Sequence, residues 1–220
     1  MNPEFWFHRW DTNRIGFHRD QTNSKLIKWW SSLGLNESDH IIVPLCGKSL
    51  DLHWLAENHS TTGVELSTLA VDTLWSEAEH TPTRDTIEPY ERSRKGQLTV
   101  LCGDFFALTG SHTGPVHGFY DRASFIALPP QLRPLYVKSL HRVLEPGASG
   151  LMLTIEYDAP EASGPPFSIS PAMASEQLGP EFEVSLLETT VIEARGGLAD
   201  RGVSELNEHV LRVKYMGLRN

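Results

Sequence analysis

A chain of 220 residues suits one ordinary domain with a full core, and no linker-like stretch divides it, so residues 1–220 are expected to form one unit with 1–35 as an N-terminal extension. Its 28 acidic residues outnumber 19 Lys and Arg for a net charge of −9, and the basic residues are scattered without a run or stripe, which argues against nucleic acid as a partner. Apolar runs fall short of the roughly 18 residues of a membrane span, and MNPEFWFHRW lacks the pattern of a secretory signal; the expectation is a cytoplasmic monomer acting on a small molecule.

The N-terminal segment is dense in rings. Trp6, Trp10, Trp29 and Trp30 alternate with Phe5, Phe7 and Phe17, and these are expected to pack on the sheet or to lid a site. Asn23 or Ser24 caps a helix through Leu26, Ile27, Trp29, Trp30 and Leu33, stopped by Gly34. Ile41, Ile42 and Val43 make a first strand, followed by a tight turn near Gly47 and a helix from about Ser49 with Leu50, Trp54 and Leu55 on one face. A second strand ends at Glu65; Ser67 caps the next helix, which carries Leu69, Leu74, Trp75 and Ala78. Residues 80–96 read as a polar loop. QLTVLC and VHGFYD supply a third and a fourth strand. Pro134 opens a helix through Val137, Leu140, Val143 and Leu144, which EPG ends before a fifth strand, Leu151 to Tyr157. ASGPPFSIS is a rigid loop, Ser170-Pro171 starts a short helix, and FEVSLLETTVIEA and EHVLRVKYM form two last strands, antiparallel to each other. The sum is an α/β chain with a doubly wound, seven-stranded, mostly parallel sheet and helices on both faces, Rossmann-like in architecture.

VPLCGKS contains Gly47-Lys48-Ser49, the tail of a phosphate-binding P-loop. That motif needs a glycine five positions earlier, where Ile42 stands, and Pro44 has no N–H to offer an oxygen. Lys48 is therefore expected at the surface at the start of a helix. Ligands of such a sheet sit past the C-terminal ends of its strands. There lie Leu45 to Gly47, Glu65, Cys102 to Asp104, Asp121-Arg122, and Glu156 to Asp158. An acid at the end of the second strand accepts hydrogen bonds from ribose hydroxyls, which makes Glu65 the most informative of them. Asp104 falls where the third strand would meet an adenine edge, with Gly103 permitting close approach, and capping of the next turn is its competing role. A dinucleotide wants three glycines in the first turn, and one is present. S-adenosylmethionine has a ribose and an adenine without phosphates, and its sulfonium favours aromatic and acidic surroundings.

PEFWFHRWDTNRIGFH, VPLCGKSLDLHWLAE, GVELS, LCGDFFAL, YDRASFIALPP and GPPFS, in this order across nearly the whole chain, resemble the thiopurine S-methyltransferases, in particular their bacterial members. One residue fewer lies between Ala56 and Gly63 than in typical members. The resemblance implies S-adenosylmethionine held by Trp10, Leu45, Glu65 and Arg122, helped by Gly103 and Asp104. It implies a small aromatic or heteroaromatic thiol as the other partner, methylated in a detoxifying role, with selenium or tellurium compounds as further acceptors. Arg195 matches an arginine near the thiopurine in relatives.

In-line methyl transfer to a soft anionic nucleophile needs positioning more than acid–base machinery. Arg122 is the candidate for stabilising the acceptor's anion, with a structural salt bridge as its competing role. Phe17 and Phe167 are candidate apolar walls for a flat ring, with core packing as the alternative. The ten histidines form no zinc motif, so no metal is expected, and Cys46 and Cys102, each at a strand end, read as reduced, buried thiols with no histidine tied to them. Another nucleotide-binding enzyme, a triphosphatase or dehydrogenase, is disfavoured by Ile42 and the single glycine. A catalytically silent cofactor-binding module finds no support, because Trp10, Glu65 and Arg122 are all present.

Overall fold

A computed structural model describes residues 3–158 and 164–218. Two helices come first, α1 (Pro3–Asp11) and α2 (Ser24–Trp29), then β1 (His40–Pro44), α3 (Asp51–Ala56), β2 (Ser60–Glu65) and α4 (Thr68–Glu77). A hairpin follows, β3 (Thr83–Ile87) and β4 (Tyr90–Lys95), leading into β5 (Leu98–Cys102), the single turn α5 (Gly110–Thr113) and β6 (Val116–Arg122). Then come α6 (Arg133–His141), β7 (Leu144–Glu156), α7 (Pro171–Leu178), β8 (Phe182–Glu193) and β9 (Glu205–Tyr215).

All nine strands join one sheet in the order β3-β4-β5-β2-β1-β6-β7-β9-β8. The middle five, β5 to β7, are parallel, and the two at each edge pair antiparallel. Sheet order runs outward from β1 through β2 to one side and from β6 to the other, so the topological switch point lies between β1 and β6. Helices bury apolar stripes on both faces: Phe125, Tyr136 and Leu140 belong to one core, and Leu26, Leu52, Leu74 and Trp75 to the other.

Nine strands stand where seven were expected, and the difference is the β3–β4 hairpin in the segment read as a polar loop. Only Tyr90 and Ser93 of the hairpin are buried, so it shows no alternation of apolar and polar residues. Its cohesion is polar: Arg92 donates twice to Asp85, at 2.7 and 2.8 Å, Arg94 donates to the same carboxylate at 2.8 Å, and Trp75 Nε1 donates to Ser93 Oγ at 2.8 Å.

Helix starts follow their caps. Asn23 Oδ1 accepts from Lys25 N, Ser67 Oγ from Ala70 N and Ser170 Oγ from Met173 N. The α2 helix tightens into a 3₁₀ turn, Trp30–Leu33, ended by Gly34 at φ 71°. Several faces differ from expectation. In α3 Leu55 is buried as expected, but its apolar partner inside is Leu52, with Leu50 and Trp54 only half-buried, while Ile27 and Leu69 are exposed. Val143 and Leu144 lie beyond α6, because the chain is already extended at Leu144, which pairs with Val116 before the register shifts to Gly118 and Ser149. Of ASGPPFSIS, residues 162 and 163 lie outside the described residues. Among the described residues, no helix is long and apolar enough to cross a membrane.

Candidate active site

Two non-glycine residues hold left-handed backbone just past the strands that flank the switch point, Leu45 (φ 46°) after β1 and Ala123 (φ 68°) after β6. Each costs on the order of 1–2 kcal/mol relative to its ordinary conformation, and strain of this kind gathers where a binding loop is held open. The turn is fixed from below: Cys46 N donates to Val64 O at 3.0 Å, and Ser124 Oγ donates to Pro44 O at 2.6 Å.

Glu65 closes β2 beside this turn and is 7 % exposed. Its Oε2 accepts from Gly47 N at 2.9 Å and its Oε1 from Ser67 N at 2.8 Å. Burial pushes its carboxyl above the usual range, against the pull of these backbone N–H groups. Each carboxylate oxygen has a second lone pair, so a diol can dock across the pair.

The N-terminal segment folds over the turn. A Cβ added at Gly47, whose φ is 55°, would lie 3.1 Å from the six-membered ring of Trp10, so glycine lets the indole sit directly on the backbone. Trp10 is buried and meets Phe17 edge-to-face at 5.6 Å between ring centroids; Trp6 meets the same ring at 6.0 Å. Arg122 ties this aromatic cluster to the sheet. Its Nη1 donates to Phe17 O at 3.0 Å, its Nη2 to Ser49 Oγ at 3.2 Å and its Nε to Asp51 Oδ2 at 2.9 Å. Lys48 is drawn off the expected surface position into an ion pair with Glu77 of α4, leaving its side chain 10 % exposed.

Gly103 and Asp104 follow β5. The Tyr90 ring fills the space of a Gly103 side chain, with a Cβ there only 2.5 Å from a ring carbon, and Tyr90 Oη donates to Asp104 O at 2.8 Å. The exposed Asp104 carboxylate caps the next turn through Phe106 N at 2.9 Å. Phe167 is half-buried against the main core, its N–H donating to Ile126 O at 2.7 Å, and the Arg133 guanidinium lies 5.3 Å from its ring. Arg195 is exposed between β8 and β9. It is Arg201, six residues on, that reaches the GPPF loop, donating to Pro165 O at 3.3 Å and to Gly197 O at 2.7 Å. Cys46 and Cys102 are both free, and burial pushes each thiol up.

A strained first turn, a buried acid ending the neighbouring strand and an arginine across the switch point thus meet at one end of the sheet. The profile described as thiopurine S-methyltransferase matches residues 1–216. The chain belongs to the thiopurine S-methyltransferase family. It is a methyltransferase, with S-adenosylmethionine as its cofactor. It is 40 % identical over 215 residues to thiopurine S-methyltransferase of Shewanella frigidimarina, covering 97 % of this chain and 98 % of that one. Among solved structures it is similar in fold, at 13 % identity and a TM-score of 0.64, to a Burkholderia thailandensis 1,6-didemethyltoxoflavin-N1-methyltransferase with bound S-adenosylhomocysteine, covering 97 % and 87 % of the two chains. A Thiobacillus denitrificans S-adenosylmethionine-dependent methyltransferase, also in complex with S-adenosylhomocysteine, gives 16 % identity and a TM-score of 0.61, covering 94 % and 97 %.

Of the residues singled out from the sequence of this family member, Trp10, Leu45, Glu65 and Arg122 converge around the first turn. Phe17 joins them through its ring and its carbonyl; Arg195 does not. Asp51, Ser49 and Arg201 went unmarked in the sequence. An acid in the first turn of a helix is common enough to carry no signal, and the partners of the Asp51 carboxylate lie 28, 69 and 71 residues away.

Proposed function

We propose that this protein methylates the sulfur of small aromatic or heteroaromatic thiols, thiopurines among them, with selenium and tellurium compounds as further acceptors. The observation that carries the reading is the convergence of Glu65, Trp10 and Arg122 on one strained turn at the switch point. When bound, S-adenosylmethionine supplies an electrophilic methyl group on a sulfonium. The residues present fit it: the Glu65 oxygens retain acceptor capacity for two ribose hydroxyls, Leu45 lies in the turn itself, and Asp104 stands just past β5, where it would meet the adenine. Trp10 packs on the turn at Gly47, where it would give a sulfonium an aromatic neighbour.

Arg122 is the electrostatic contributor. Three of its five N–H donors have the protein acceptors named above, one on each of its three nitrogens. The second N–H of each Nη remains to stabilise the acceptor's thiolate. Phe17, on the same guanidinium, forms one wall for a flat ring, and Phe167 another. Holding a thiolate in line and in contact supplies several kcal/mol of the barrier without a general base.

Calorimetry with S-adenosylhomocysteine, followed by turnover on 6-mercaptopurine, an aromatic thiol, a selenol and tellurite, tests the reading. Binding together with methylation of a thiol supports it. Binding with no turnover on any of the four would leave a cofactor-binding protein that acts on something other than sulfur, selenium or tellurium, and no binding would overturn the cofactor site itself.

A further inference from the structure

We infer that Asp51 is the positioning residue of Arg122: its buried carboxylate fixes the guanidinium at the switch point and fastens the N-terminal segment to the same spot. Asp51 is 1 % exposed, at the start of α3. Its donors come from two separate segments, the entry to α2 and the end of β6. Its Oδ1 accepts from Asn23 N, where the N-terminal segment enters α2, at 2.8 Å; its Oδ2 accepts from Arg122 Nε at 2.9 Å and from the Tyr120 hydroxyl at 3.1 Å. Ser49 Oγ, which accepts from Arg122 Nη2, also accepts from the Asp51 backbone N–H at 3.3 Å. A guanidinium is planar, so a bond at Nε sets the direction of both Nη groups. That direction delivers Nη1 to the Phe17 carbonyl and Nη2 to Ser49.

Chemistry at the two oxygens makes the site specific for a carboxylate. Both face donors only. An amide of the same shape offers one acceptor and one donor, so Asp51→Asn must set an N–H against either Asn23 N or the Arg122–Tyr120 pair, without any change in volume.

The test rests on the proposed role of Arg122 toward a thiolate and is arranged to separate failure of that role from failure of the positioning. The readout is the acid limb of log kcat against pH with 6-mercaptopurine. The titratable and charged groups that act on Arg122 are Asp51, Tyr120 and His18, with Lys48, Glu77 and Asp20 around His18 and Asp121 beside Tyr120. Loss of a nearby negative charge alone would lower the limb, since it favours the thiolate; loss of a correctly placed guanidinium raises it. Asp51→Asn is expected to raise it in the same direction as Arg122→Gln, with no further rise in the double variant, while Asp51→Glu restores it in part. A limb that rises in Arg122→Gln and stays put or falls in Asp51→Asn overturns the inference, as does one that moves with His18→Gln instead.

Should Arg122→Gln leave the limb unmoved, the thiolate role fails, and the ¹⁵N–¹H signal of Arg122 Nε then decides the positioning. Protection from solvent exchange in the wild-type chain and its loss in Asp51→Asn support it. Exchange in the wild type as fast as at surface arginines overturns it, and this measurement stands even if Asp51→Asn does not fold.

Discussion

Glu65 and Asp121 are both buried carboxylates at strand ends, and their surroundings give them different consequences. Glu65 meets two backbone N–H groups, each with its own oxygen. Glu65→Gln leaves one of them facing an amide N–H, so affinity for S-adenosylhomocysteine is expected to fall by about 1–3 kcal/mol, roughly 5- to 150-fold, by calorimetry. Unchanged affinity would remove Glu65 from the cofactor site. Asp121, fully buried, accepts from the Tyr136 hydroxyl at 2.5 Å and from Ser124 N at 3.1 Å and Phe125 N at 3.2 Å, yet burial still pushes its carboxyl up to about 6. Because the folded state holds this proton more tightly than the unfolded chain, its contribution to stability is largest at acid pH and declines as pH rises from about 4 to about 6. The decline is on the order of 2–3 kcal/mol. Urea unfolding of the wild type and of Asp121→Asn across that window is expected to show the difference between them shrinking as pH rises, then holding constant above pH 7; a difference independent of pH contradicts the assignment.

Elements differ in how much of their reason for existing is local. Most of the parallel strands and the helix caps were legible because they are apolar runs beside turn and cap residues, although β7 starts at Leu144, ahead of its apolar run, and Glu65 and Arg122 were legible because their chemistry sits at strand ends. The β3–β4 hairpin was not, because two inward residues and a cluster of charges hold it, and charge pairs across strands leave no periodic trace. The same holds for the join between α2 and β8. Glu188 accepts from Lys25, from Lys28 at 2.7 Å, from Trp29 Nε1 at 2.6 Å and from the Thr190 hydroxyl at 3.0 Å, at the bulge where β8 slips by one residue against β9. Glu188→Ala is expected to destabilise the fold by about 1–3 kcal/mol and to shift Trp29 emission to the red; unchanged emission would show that the bonded geometry does not persist in solution. The lysines hold this carboxyl well below its usual range, so the stabilisation it brings is present above that range and is lost as pH falls, opposite in sign to Asp121.

At the scale of the molecule, five parallel strands form the centre of the sheet, and the candidate site gathers the ends of β1, β2, β5 and β6 with the N-terminal segment laid across the first turn. A ligand seated there, as proposed, would contact segments far apart in sequence, so its binding free energy would be felt by global unfolding rather than by one loop. With S-adenosylhomocysteine at 100 times its dissociation constant, the gain is about 2.7 kcal/mol, which for a chain of this size raises the melting temperature by roughly 5–11 °C. Trp10→Ala removes the indole from the Gly47 turn, and is expected to reduce that ligand-induced rise more than it lowers the melting temperature of the free protein. Hydrogen exchange separates this from a general loosening. Protection gained on binding is expected in α1 and at the turns after β1 and β2, with the edge strands β3 and β8 unaffected. A rise in melting temperature without new protection in α1 would mean that the N-terminal segment covers the turn but takes no part in holding the cofactor.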